Sequence, residues 1–218
     1  DVDDRYEHYH RVEERTPFDI EILNKITKGG IPRKSMTVLL ATTGGGKSLL
    51  KCHMAANHLM YGKNVLYITM EMAAEEIGRR IDANIMDITL DEVAEVPRDV
   101  FEKRMARYKT KTTGKLVIKE FPTGSAHSGH FRHLLNELKL KKNFTPDVIF
   151  LDYLNICSSA RVKGAAAANS YTLVKSIAEE VRGLAMEYNC AVVTSSQYNR
   201  DAYGNSDVDL TNTSESMG

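Results

Sequence analysis

Apolar residues are distributed along this chain in two alternating patterns. Short apolar-rich runs stand at 36–40 (MTVLL), 65–70 (VLYITM), 116–121 (LVIKEF), 147–154 (DVIFLDYL) and 191–195 (AVVTS). Such runs, rich in Val, Ile, Leu and aromatic residues, suit strands buried on both faces. Between them the spacing is helical. Cys52, Ala55, Ala56 and Leu59 fall at i, i+3, i+4 and i+7, and Gly62 follows where a helix would close. Ile77 and Ile81 predict a helix after Glu71, Glu75 and Glu76. Phe131, Leu134, Leu135 and Leu138 predict another. Val174, Ile177, Ala178, Val181, Leu184, Ala185 and Tyr188 predict a longer one, with Lys175, Glu179, Glu180 and Arg182 expected to point away from the core. Strands alternating with helices imply an α/β fold with a mostly parallel central sheet flanked by helices. Residues 1–15 are charged and poor in aliphatics, and read as a linker or an N-terminal helix. The packed domain is expected over 16–218.

In such sheets ligands sit beyond the carboxyl ends of the strands. The first strand runs directly into ATTGGGKS, from Ala41 to Ser48. The pattern G-x-x-x-x-G-K-[ST] between a strand and a helix marks a phosphate-binding loop. Here Ala41 stands where the first glycine is usual, a small residue at a strand end that is tolerable with a negative φ. Gly44, Gly45 and Gly46 let backbone N–H groups turn onto phosphate oxygens, and the helix start adds a favourable dipole. The candidate nucleotide-binding residues are Thr42, Thr43, Gly44, Gly45, Gly46, Lys47, Ser48 and Leu49. Lys47 would reach the β- and γ-phosphates of ATP or another NTP, and Ser48 would hold Mg²⁺. The plain alternative is a glycine turn beside a surface lysine.

The other strand ends add polar candidates. Asp152 follows Val148–Leu151, the usual place for a second Mg²⁺ acid, here through water, or for a simple strand cap. Glu71 follows the second strand. It would take a proton from the attacking water or orient it, or it is a helix-start acid placed by the dipole alone. Gln197, after AVVTSS, would sense a γ-phosphate or merely end a strand.

Charge narrows the partners. The chain has 29 basic and 29 acidic residues and no formal net charge, so a nucleic acid would have to be held by a local patch. The three cysteines, Cys52, Cys157 and Cys190, lack metal-ligand spacing and are expected as buried thiols in a reducing compartment. No run approaches the ~20 apolar residues of a membrane span. The chain opens on Asp1 and stops at Gly218 in a Ser/Asn/Thr-rich stretch, which is expected to be a core cut at both ends.

Taken together and in order, ATTGGGKS, VLYITMEM, VIFLDYL, TSSQYNR and SDVDLTNTSES resemble the motifs of the DnaB-type hexameric replicative helicases. The resemblance extends over about 16–218. RIDAN, NELKLKKNF and NSYT are further similar to the branch carried by T-even-like tailed phages. It implies a RecA-like P-loop ATPase that moves along single-stranded DNA as a homo-hexamer, with a primase and a helicase loader as partners, and cytoplasmic, in the host cell if of phage origin. It implies Glu71 as the catalytic glutamate, Asp152 as the second metal acid, and Gln197 as the residue coupling the γ-phosphate to DNA-contacting loops. The loops 158–169 and 198–213 become DNA candidates, with Arg161, Lys163 and Arg200 as their cations. The family's arginine finger is expected downstream of Gly218. A RecA-type recombinase and a nucleotide-gated signalling ATPase without DNA remain the alternatives.

Overall fold

The computed structural model describes residues 1–10, 13–164 and 169–197. In chain order the elements are α1 (Val2–His10), β1 (Arg15–Thr16), α2 (Glu21–Ile26), β2 (Ile31–Pro32), β3 (Met36–Ala41), α3 (Lys47–Met60), β4 (Val65–Thr69) and α4 (Ala74–Met86). They continue with α5 (Leu90–Glu95), α6 (Arg98–Lys111), β5 (Leu116–Glu120), α7 (Ser128–Lys142), β6 (Val148–Asp152), a 3₁₀ turn (Leu154–Ile156), α8 (Ser170–Glu187) and β7 (Ala191–Gln197). The small strands β1 and β2 pair antiparallel. The five others form one parallel sheet in the order β3-β7-β6-β4-β5.

The central strands β4, β6 and β7 are buried on both faces, while the edge strands β3 and β5 are only partly covered, and the two-residue period of a strand sorts the side chains between the faces. Leu66 and Ile68 of β4, Ile149 and Leu151 of β6 and Val192 of β7 pack with Phe131, Leu135, Ile177, Val181 and Leu184 of α7 and α8. Val65 and Tyr67, Val148 and Phe150, and Ala191 and Val193 face the opposite way. They pack with Cys52, Met54, Ala55 and Leu59 of α3 and Ile77 and Ile81 of α4. The result is a helix–sheet–helix sandwich, the architecture expected from the apolar pattern. All three cysteines are buried and free.

Two expectations need adjusting, and one stretch carries helices that the pattern does not mark. The run 147–154 is a strand only to Asp152, after which the chain turns into the 3₁₀ segment. Two helices, α5 and α6, occupy a stretch without a strong apolar period, and neither buries a residue. Glu180 does not point away from the core: it is buried at 6% exposure, because its carboxylate meets a set of hydrogen-bond donors there. Among the described residues no helix is long and apolar enough to cross a membrane.

Candidate functional site

A parallel sheet brings all its strand ends to one edge. Ala41 is paired with Gln197, and Thr69 with Asp152. The phosphate loop leaves β3 at this edge. Gly44 and Gly46 have φ of 75° and 79°, the left-handed region that favours glycine, and Gly46 is the N-cap of α3. Gly45 is needed for space: a Cβ there would stand 3.0 Å from both the Ala41 Cβ and the Thr42 carbonyl oxygen. Ala41 keeps a negative φ, so the missing first glycine carries no conformational cost. Thr43, Gly44 and Gly45 are exposed, while Thr42 and Ser48 are half-buried. Leu49 turns its side chain to a groove along α3 shared with His53 and Arg80, so its link to the loop is through the backbone.

Lys47 folds back over its own loop. Its Nζ donates to the carbonyl oxygens of Ala41 (3.0 Å) and Thr42 (2.6 Å). Burial lowers its pKa, and the charges of Glu71 and Asp152 pull it back up. All three groups therefore share one electrostatic neighbourhood.

Asp152 is held by a residue not anticipated from sequence. Lys51, one turn after Lys47 on α3, is completely buried and its Nζ donates to Asp152 Oδ1 and, at 2.8 Å, to Ser195 Oγ. The Tyr67 hydroxyl donates to Asp152 Oδ2 at 3.2 Å. Desolvation lowers the Lys51 pKa against the pull of Asp152. A signal for Lys51 existed: it lies four residues before Ala55, on the apolar side of the helix.

Glu71 sits on the exposed bend after β4. Thr69 shapes that bend, its hydroxyl donating to the Met72 carbonyl (2.7 Å) and accepting from the Met72 N–H (3.1 Å). The Met70 N–H donates to the Asp152 carbonyl at 3.1 Å, and Glu120, ending β5, accepts from the Ala74 N–H at 2.9 Å. Glu120 is another residue that the pattern does not single out. Gln197 closes β7 beside the loop, where its Oε1 accepts from the Thr43 hydroxyl at 3.4 Å.

The segment after β6 carries Arg161 and Lys163, both exposed, with Arg161 facing Glu179 at 3.5 Å. Arg200, the loop 198–213 and residues 165–168 lie outside the described residues. The structure thus brings together Lys47, Ser48, Asp152, Glu71 and Gln197 along one edge, and places Arg161 and Lys163 in the segment that leaves the same edge at β6.

The loop fits a nucleotide triphosphate. Its glycines provide left-handed backbone and a cradle that a Cβ at Gly45 would fill, while Cβ atoms at Gly44 and Gly46 would meet nothing within 4 Å. Among the described residues no group of three or more His, Cys, Asp or Glu side chains is placed to hold a metal ion by itself.

Comparisons with known proteins agree with this geometry. The family model described as the DnaB-like helicase C terminal domain matches residues 17–211. A DnaB-like replicative helicase of Enterobacteria phage T4 is 45% identical over 221 residues, covering 100% of this chain and 46% of its own length. This chain therefore spans about half of that relative. Among solved structures, one described as a DnaB-like replicative helicase and its interactions with primase superimposes with a TM-score of 0.74 at 17% identity, over 99% of this chain and 51% of that one. A second, described as an ATPase domain, gives 0.73 at 17% identity, over 99% of this chain and 75% of that one. These structural neighbours share the fold, that of RecA-like helicase ATPase domains. By the family model, which matches most of its length, this chain belongs to the family of DnaB-like helicase C-terminal domains.

Proposed function

We propose that this chain is the ATP-hydrolysing core of a replicative DNA helicase that moves along single-stranded DNA to unwind duplex. The observation that carries the reading is the meeting of Lys47, Asp152, Glu71 and Gln197 on one sheet edge, beside a loop built for phosphate. MgATP supplies the phosphoryl group whose transfer to water drives the motor. Lys47 exchanges its carbonyl partners for β- and γ-phosphate oxygens, and the loop N–H groups from Thr42 to Leu49 line the same anion. Ser48 and Asp152 are the residues that would hold Mg²⁺, which would neutralise phosphate charge. Lys51 aims Asp152 by pairing with one of its oxygens. Glu71 orients the attacking water and takes its proton. Gln197, bonded to Thr43 of the loop, carries the state of the γ-phosphate into the segment that follows β7.

The reading includes a homo-hexameric ring, in which a few cations per subunit make a basic path without net charge on the chain. In such a ring the charge-stabilising arginine comes from beyond this chain, from a neighbouring subunit, and a primase and a helicase loader are the partners. Arg161 and Lys163, with Arg200, are the DNA-binding cations of this core, and residues 1–15, which include α1, serve as its linker or N-terminal helix. The test is a salt titration of single-strand affinity for the full-length protein. Affinity should be indifferent to base order and should fall with salt. Lys163→Ala should flatten the log–log slope by about 0.7 for each phosphate interaction removed. A parent that binds no single strand would contradict the reading in favour of an ATPase without DNA.

A further inference from the structure

Glu180 lies inside α8 with 6% of its surface exposed. A buried carboxylate is costly unless its oxygens are bonded, and here they are. Ser128 Oγ donates to Oε2 at 2.5 Å. Ser159 Oγ donates to Oε1 at 2.6 Å, and Ser176 Oγ at 3.3 Å. The Ala160 N–H is 3.1 Å from both oxygens, and the Arg161 N–H is 3.4 Å from Oε1. Desolvation raises the pKa of this carboxyl, but the hydrogen bonds outweigh it and hold the group below its ordinary value.

Most of these donors belong to the turn that carries the proposed DNA cations. Ser159, itself buried, accepts from the N–H groups of Arg161 (3.1 Å) and Val162 (3.0 Å) while it donates to Glu180. Three consecutive amides, 160–162, therefore converge on one carboxylate and one hydroxyl. Arg161 and Lys163 stand out to solvent from this bonded turn. An apolar residue would fill the same space at less cost. A carboxylate adds directional, charge-assisted bonds that fix a backbone. Ser128 ties the same carboxylate to the first turn of α7, so the turn is referenced to both helices covering that face of the sheet.

We infer that Glu180 is a positioning residue for single-strand binding: it locks the turn at 159–162 and so sets where Arg161 and Lys163 stand. The inference rests on the DNA reading above. Its test uses the full-length protein and the variant Glu180→Gln, which keeps the shape but loses the charge and one acceptor. Hydrogen exchange should quicken at the amides of Ala160, Arg161 and Val162 and stay unchanged in β4 and β6. Single-strand affinity should fall roughly tenfold, the scale of a charge-assisted hydrogen bond. With Arg161→Ala and Lys163→Ala already in place, Glu180→Gln should cause no further loss, because it acts through those cations. Ser159→Ala, which removes the other arm of the same interaction, should reproduce the pattern should Glu180→Gln fold poorly. Parent-like DNA affinity in both Glu180→Gln and Ser159→Ala, alongside a weakened Lys163→Ala, would overturn the inference and leave the DNA reading intact. Failure of the DNA reading looks different: Lys163→Ala and Glu180→Gln both bind as the parent does, while the 160–162 amides still exchange faster.

Discussion

Asp152 and Lys51 have exposures of 1% and 0%, so they form an ion pair of the interior. Removing one partner of such a pair costs about 3–5 kcal/mol, since the other charge is left buried and unpaired. An Asp152 variant would therefore mix loss of its proposed metal role with lost stability, whereas a variant at exposed Glu71 tests its proposed role without leaving a buried charge unpaired. His58, on the same helix, shows what burial does to a neutral base. Its Nδ1–H donates to the Met54 carbonyl at 2.7 Å and its ring stands edge-on to Phe150 at 5.6 Å. Desolvation pushes its pKa down from 6.5 to about 4. The unfolded chain binds a proton near pH 6.5 that the native ring refuses until about pH 4. Stability should accordingly drain away as pH falls through that window, by roughly 3 kcal/mol in total at 1.36 kcal/mol per unit. Urea midpoints measured against pH should fall less steeply there for His58→Leu than for the parent. Parallel curves would contradict the assignment.

The phosphate loop tests the same logic for an element. Gly45→Ala places a methyl 3.0 Å from the Ala41 Cβ and the Thr42 carbonyl. The loop must shift, at a cost of about 1–3 kcal/mol for overpacking, and Lys47 moves with it. Calorimetric titration with MgATP should show most of the affinity gone while the melting transition persists; parent-like affinity would mean the loop is looser than its packing indicates. This element is legible in sequence because glycines, a lysine and a hydroxyl at fixed spacing have few other uses after an apolar strand. The central strands β4, β6 and β7 are legible because burial on both faces leaves apolar runs, and the partly covered edge strands β3 and β5 still keep a short apolar run each. Helix α6 is not, since none of its residues is buried and no apolar stripe marks it. Helix α5 does leave a sign, the Thr89–Glu92 capping box. Glu180 and Lys51 escape a reading by charge for one reason. Spacing places each on the apolar side of its helix, Glu180 between Ile177 and Leu184, while charge alone argues for solvent. Their partners, Ser159 and Asp152, are distant in sequence, and no local pattern reveals such a pairing.

At the scale of the molecule, the sheet edge gathers the proposed nucleotide-binding residues, and the segments that follow β6 and β7 in sequence carry the proposed DNA-binding cations. Nucleotide state would pass to DNA over a short path: Thr43 touches Gln197, Ser196 bonds Asn155 at 2.9 Å, and Asn155 belongs to the segment leading to Ser159 and Arg161. This chain spans about half the length of the phage T4 relative, so the decisive experiment uses the full-length protein. That measurement is ATP-driven strand displacement on a forked duplex, comparing the parent with Glu71→Gln. The parent should displace the strand only with hydrolysable nucleotide. The variant should still bind the fork but displace it about 10²–10⁴-fold more slowly, the contribution of a general base. Displacement by Glu71→Gln at the parent rate, or a parent that hydrolyses ATP on DNA without separating strands, would contradict the account.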